Sequence, residues 1–325
     1  MTSETPSNAV YLGIDLSSRH IRSGIIDAAG NLSNFRREPH HFYRSNIDGR
    51  ALADRLLTIA KQTVAELDAP LGGIGIGFPG LVNHTTQRVV RMPNTPSLAE
   101  IDLHQEFVEA FNVPVVFENN TNAATVAEMK FGGAQNVGDF LYVRIGHGVG
   151  AGLVLDGRLR RGKSGYAGEI GHMNVDPEGL ECSCGSRGCL ETICSAHNIV
   201  RRTHARLERD KTSVLSEFEK HDKDFTYDDI IEAAHNGDDL ALLMMNRTGH
   251  FIGMVVADMI NMLNLSMVVV AGNTAARSLL LPAIADEAKR RSFAEAYSDC
   301  EFIAAQLASE AGVIGAGILA QQAAR

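Results

Sequence analysis

Apolar positions along this chain fall into two periods, and their alternation lays out the elements before any chemistry is considered. Tyr11-Leu-Gly-Ile-Asp15 and residues 21–27 are β-type runs flanking the polar stretch Leu16-Ser-Ser-Arg-His20, which predicts a hairpin. Tyr142-Val-Arg-Ile-Gly146, His147-Gly-Val-Gly150 and residues 151–155 repeat that layout in the second half of the chain. The hairpins end in Ala29-Gly30 and Asp156-Gly157, pairs suited to turns, so two similar halves are expected.

Between the hairpins, residues 48–67 carry apolar side chains at helical spacing, and residues 73–78 read as a buried strand broken by Pro79-Gly80. A helix over 103–111, a strand over 113–117 and a helix over 120–131 complete an α/β half. The second half is expected to hold a helical stretch over 196–248 that leads into a long apolar helix ending near Met262. A strand at 267–271, a helix at 279–291, a strand at 301–305 and a small-residue helix at 309–324 follow.

The chain's 325 residues exceed one usual core, which implies two domains. With 45% hydrophobic and 21% charged residues there is no compositional reason to invoke disorder. A formal charge of −9 argues against a nucleic-acid partner, and the basic run over 158–163 reads as a solvated face. No run of about 18 apolar residues appears and residues 1–8 are short and polar, so the expectation is a cytoplasmic protein without a membrane partner.

Three of the five cysteines, Cys182, Cys184 and Cys189, sit close together, and His172 precedes them by ten residues. Three thiolates and one imidazole supply the tetrahedral donor set of zinc, and an intracellular cluster of this kind points to metal rather than disulfides. With four protein ligands no position stays open, so the zinc is expected to be structural. Cys194 and Cys300 read as apolar fillers.

The run Gly168-Glu-Ile-Gly-His172 followed by Cys182-Ser-Cys-Gly-Ser-Arg-Gly-Cys-Leu-Glu191 resembles the signature of the ROK family (repressors, open reading frames and sugar kinases). The likeness extends through Gly148-Val-Gly-Ala-Gly152, Asp156-Gly157, Pro79-Gly80, Glu118-Asn119 and residues 312–317, and so across essentially the whole chain. In flavour it is similar to glucokinase-like and sugar-responsive regulator members. The resemblance implies a two-domain α/β, actin-like ATPase (ribonuclease H-like) fold that holds a sugar in its cleft. Residues 9–118 with 309–325 would form one domain, and residues 119–308 the zinc-bearing one. It also implies a homo-oligomer, dimer or tetramer.

Carried over by matching position, Gly80, Asn94, Asn119, Glu169, His172 and Glu191 are the expected sugar-binding residues for a hexose or N-acetylhexosamine. A metal-bound His172 could still present its second ring nitrogen to a sugar hydroxyl. The catalytic apparatus departs from the family's kinase pattern. Kinase members resemble one another in placing Asp directly after Asn, as the base that deprotonates the sugar hydroxyl; here Asn120 holds that position. An amide cannot act as a general base, and such a base is worth about 100- to 10,000-fold in rate. Glu118 is the nearest carboxylate, but strand alternation would point it away from Asn119.

The expected nucleotide loops are altered too. Asp15-Leu-Ser-Ser-Arg19 replaces an Asp-x-Gly-Gly-Thr pattern, so Ser17 and Ser18 stand for glycines and Arg19 for threonine. His147 stands beside Gly148 where kinase members often have threonine, and Gly272-Asn273 replaces a glycine pair. Together these changes argue against ATP with magnesium as a working cofactor, although Arg19 could grip a phosphate. Two readings follow: a sugar-binding protein with weak or lost phosphotransfer, and alternatively an active ATP-dependent hexose or N-acetylhexosamine kinase. A repressor would need a winged helix of about 60 residues before the first strand, and the acidic charge disfavours it.

Overall fold

A computed structural model describes Pro6 and residues 8–40, 48–92, 95–209 and 211–325. It divides into two compact units, each described here by itself. The first comprises Met1–Asn136, Arg158–Gly168 and Gln306–Arg325, and the second Val137–Gly157 and Glu169–Ala305.

The first unit is built on strands β1 (Val10–Leu16), β2 (His20–Ile26), β3 (Leu32–Pro39), β4 (Leu71–Phe78) and β7 (Val115–Asn119), in the order β3-β2-β1-β4-β7. β1 and β2 form the expected antiparallel hairpin, whereas β4 runs parallel to both β1 and β7. A small antiparallel pair, β5 (Leu81–Asn83) and β6 (Arg88–Arg91), lies outside this sheet.

Alternation assigns the two faces. Leu12, Ile14 and Leu16 join Ile74, Ile76 and Phe78 in a core closed by α1 (Gly49–Val64), whose Leu52, Leu56, Ile59 and Ala60 recur at helical spacing, and by α2 (Leu103–Phe111). The opposite face meets α11 (Ala311–Ala323), with α3 (Asn120–Phe131) packed alongside it. Contact there is backbone to backbone: a Cβ on Gly75 would sit 1.9 Å from Ala316 O, and one on Gly315 only 1.7 Å from Ala123 O. This packing is why α3 belongs with the first unit. The sequence reading began the second domain at residue 119, before α3, whereas the chain leaves the first unit after Asn136.

In the second unit, β8 (Phe140–Ile145) and β9 (Val149–Leu155) form the second hairpin; the two-residue β10 (Arg158–Leu159) that follows in the chain falls in the first unit's segment Arg158–Gly168. β11 (Met267–Gly272) runs parallel to β8, and β12 (Glu301–Ala304) runs parallel to β11. The helices are α4 (Glu191–Cys194), α5 (Ala196–Leu207), α6 (Ser216–Lys220), α7 (Tyr227–His235), α8 (Asp239–Leu263), α9 (Thr274–Arg291) and α10 (Ala294–Ser298).

Among the described residues, the expected helical stretch over 196–248 comprises α5, α6, α7 and the start of α8. Thr226 with Asp229 makes a capping box that starts α7, and Asp238 caps α8 after Gly237 takes a left-handed φ of 86°. α9 begins five residues earlier than its apolar pattern indicated, at a cap where Asn273 accepts from Ala275 N and Ala276 N. It tolerates Pro282 on an exposed position, where water can reach the freed carbonyl. α8 is long and apolar enough by length and composition to cross a membrane, with mean hydropathy 1.3, yet 61% of that window is buried inside the protein. Much of that burial comes from α9, so α8 serves as a core helix.

Candidate functional site

The second unit gathers the four expected metal ligands. Backbone bonds from Cys182 N to Ser186 O (2.8 Å) and Gly185 N to Cys182 O (2.9 Å) curl the cysteine segment into a knuckle, with Gly185 at a left-handed φ of 94°. The donor atoms of His172, Cys182, Cys184 and Cys189 all lie within 4.8 Å of one another. Cys184 Sγ is 3.7 Å from Cys189 Sγ, and Cys182 Sγ is 3.5 Å from His172 Nδ1. With zinc–sulfur and zinc–nitrogen bonds of about 2.3 and 2.0 Å, a tetrahedron has edges of about 3.8 Å (S–S) and about 3.5 Å (S–N). Two edges are thus already at coordination length, and the donor set fits zinc. Burial, then hydrogen bonding with Cys182 and Cys184, pushes the Cys189 thiol up to about 12.

Because Nδ1 of His172 faces the sulfurs, Nε2 is left for other work, and it stands 3.9 Å from Glu169 Oε2. Both side chains are about one-third exposed. Burial raises the Glu169 carboxyl above its ordinary value, His172 pulls the other way, and Glu191 adds to the rise. The Glu191 carboxylate is fixed by Val149 N, which donates to Oε2 at 2.9 Å. Gly148 permits that approach, since a Cβ there would lie 2.5 Å from the same oxygen. Glu169, His172 and Glu191 therefore form one electrostatic group beside the three clustered cysteines. His147 is exposed at the tip of the β8–β9 hairpin. Gly272 has a φ of 129° and lies against Ile145 O, where a Cβ would come within 2.1 Å.

In the first unit the expected residues bond mostly to one another. Asn119 caps α3: its Oδ1 accepts from Thr121 N (2.8 Å) and Asn122 N (3.1 Å), and its Nδ2 donates to Gly80 O at 3.0 Å. Gly80 itself has a left-handed φ of 94°. Asn94 lies outside the described residues. Asn120 is 8% exposed, and its Nδ2 donates to Leu16 O at 2.9 Å, tying the start of α3 to the end of β1.

Glu118 is buried at the end of β7. It turns into the first turn of α3, where Oε1 accepts from Asn119 N (2.9 Å) and Asn122 Nδ2 (3.1 Å) and Oε2 from Arg161 Nε (2.5 Å). Arg161, expected on a solvated face with its basic neighbours, is instead the counter-ion of a carboxylate only 3% exposed.

The β1–β2 turn is similarly self-contained. Asp15 and Arg22 face each other in the hairpin register, and their ion pair is 2.8 Å long. Asp15 is 1% exposed beneath α11, with Gly312 so close that a Cβ would meet Asp15 Cγ at 2.5 Å. Ser17 Oγ donates to His20 O (3.0 Å) and Ser17 N donates to the same oxygen (2.9 Å). Ser18, like Ser17, is half-buried, and Arg19 is exposed. Burial, then Arg37, Arg22, His40 and Arg19, hold His20 down at about 4, which marks a positive local field around the turn.

The ROK family profile matches residues 11–323. This chain belongs to the ROK family. A glucokinase of Halalkalibacterium halodurans is 30% identical over 97% of this chain and 96% of its own length. A xylose repressor of Bacillus spizizenii is 30% identical over 94% of this chain and 75% of its own length. Among solved structures, a ROK family glucokinase from Streptomyces griseus, in complex with glucose and AMPPNP, superposes with TM-score 0.83 at 27% identity, covering 97% of this chain and 100% of that one. The fold is thus the actin-like one of ROK sugar kinases. The sequence signals that singled out Glu169, His172, the three clustered cysteines and Glu191 did not reach Arg22 or Arg161, although the pairing of Asp15 with Arg22 is implicit in the hairpin register.

Proposed function

We propose that this ROK protein binds a neutral hexose or N-acetylhexosamine through Glu169, His172 and Glu191 beside a structural zinc, with ATP-dependent phosphotransfer weak or absent. The observation that carries the second half is the Asn120 amide, nearly buried and donating to Leu16 O. A carboxylate there would set a negative oxygen against a carbonyl, so the neutral amide suits the local structure as well as lacking basicity. Glu118 is no substitute, because both its oxygens already accept from Asn119, Asn122 and Arg161.

Magnesium-bound triphosphate also finds a poor fit. Asp15 keeps one buried oxygen without a hydrogen-bond partner, but Arg22 already neutralises its charge and α11 covers it. A divalent cation would have to compete with that guanidinium. The Ser17 hydroxyl and amide are both engaged with His20 O.

For the first half, Glu169 and Glu191 are carboxylates suited to pairs of sugar hydroxyls, and the glucose-bound relative supports a sugar as ligand. The experiment is calorimetry across neutral hexoses and N-acetylhexosamines, then a coupled assay for sugar phosphate with ATP and magnesium. Binding with turnover near background is expected. The glucokinase relative favours the alternative of an active kinase, and turnover of about 1 per second or faster, within the usual enzyme range, would establish it.

A further inference from the structure

α4 is only four residues long, Glu191–Cys194, and it carries Glu191 at its start. Such a helix cannot pair its own last carbonyls. Glu191 O accepts from Ser195 N at 3.1 Å, but Ser195 is extended (ψ 152°), and the amide of Ala196 turns away to Gly146 O. Thr192 O and Ile193 O are therefore left without a backbone partner from the helix that should continue them.

The next helix supplies side chains instead. Asn198, Arg201 and Arg202 share one face of α5, at i, i+3 and i+4. Asn198 Nδ2 donates to Glu191 O (3.1 Å), Arg201 Nη2 to Thr192 O (3.3 Å) and Arg202 Nη1 to Ile193 O (3.1 Å). Three successive carbonyls of α4 are each held by one of three α5 residues. Asn198 is itself oriented by Ser195 Oγ (2.8 Å) and Arg201 Nε (3.2 Å). Arg202 reaches on to Thr248 Oγ1 (3.3 Å) and lies 5.7 Å from the Phe251 ring, anchoring the arrangement to α8. Among the described residues no carboxylate pairs with Arg202, and burial lowers it from the ordinary arginine value. A half-buried cation committed to carbonyls points to a geometric use rather than to an ion pair.

We propose that Asn198, Arg201 and Arg202 are positioning residues that set the place of the Glu191 carboxylate by gripping the carbonyls of α4. The proposal rests on Glu191 being a sugar ligand, as argued above. Its physical content is that Glu191 is aimed from two sides: Val149 N fixes the carboxylate and α5 fixes the backbone behind it.

The test uses the full-length, metal-replete protein with two readouts, sugar affinity by calorimetry and exchange protection of the Val149 amide. Arg202→Met should weaken sugar binding about tenfold, and by less than about twofold in a Glu191→Gln background, because the two changes act through one group. Arg202→Lys should recover part of the loss, and Asn198→Ala should act in the same direction should Arg202→Met fold poorly. Val149 protection should fall in Arg202→Met while Ala151, paired with Val143 in the same hairpin, keeps its own. Equal losses in both backgrounds, or lost affinity with Val149 protection intact, would overturn the proposal. If the unaltered protein binds no sugar in the panel, the sugar reading fails by itself. The Val149 amide then decides whether α5 positions Glu191: reduced protection supports it, unchanged protection ends it.

Discussion

The two ligand regions of this fold differ in where their polar atoms point. Around the β1–β2 turn and the start of α3, side chains pair inward: Asp15 with Arg22, Asn120 with Leu16 O, Glu118 with Arg161, Ser17 with His20 O. Beside the cysteine cluster, the Glu169 and His172 side chains remain about one-third exposed, and the Glu191 carboxylate accepts from Val149 N. One region commits its polar side chains to internal pairing, and the other leaves them available.

The comparison can be broken most forcefully at the metal. Structural zinc in isolated fingers is worth about 10–16 kcal/mol of apparent binding energy. Chelation or Cys184→Ser should therefore lower the melting temperature substantially and release zinc, read by calorimetry and metal analysis. Unchanged melting, or protein purified without zinc, would show that the donor cluster has another role.

Next in size is the inward pairing of the first unit. Arg22→Met leaves a buried Asp15 uncompensated and should cost about 3–5 kcal/mol, measured by denaturant unfolding. A cost below about 1 kcal/mol would mean that the pair behaves like a surface bridge. Asn120→Asp should cost about 1–3 kcal/mol through loss of the bond to Leu16 O, without raising turnover. Adding Ser17→Gly, Ser18→Gly and Arg19→Thr should do more for turnover than Asn120→Asp alone. A single Asn120→Asp enzyme with full activity would show that the base alone had been missing.

The smallest expected effect is a pH dependence. His20 is held at about 4, below its ordinary 6.5, so between these values the unfolded chain takes up a proton that the folded one refuses. Its stabilising contribution is complete above about 6.5 and is lost as pH falls towards about 4. Melting temperatures across that window should decline less steeply in a His20→Asn variant. Parallel profiles would place the acid sensitivity elsewhere.

How much of this could be read in the sequence depended on distance along the chain. The His172, Cys182, Cys184 and Cys189 cluster lies within a short segment and the start of α3 follows directly from its Asn119 cap, so the gathering of those four side chains and that helix start were legible. β3 and the β5–β6 pair were not, because their exposed positions interrupt any apolar pattern. The helices within residues 196–248 merged because apolar spacing continued past the capping signals at Thr226 and Asp238. Glu118 and Arg161 are 43 residues apart and Asn120 and Leu16 are 104 apart, so their pairing exists only once the topology brings them together.

The backbone-to-backbone seat of α11 on β4 and α3 also has a temporal consequence. Every residue of the second unit leaves the ribosome before α11 does, since Ala311–Ala323 follows Ala305 in the chain. Domains fold as units during synthesis. The second unit can therefore complete its core first, while the sheet of the first waits, with the face that bears Gly13 and Gly75 uncovered, for a helix made last. Limited proteolysis of a released chain truncated before Ala311 should find residues 169–305 protected and residues 8–40 cut.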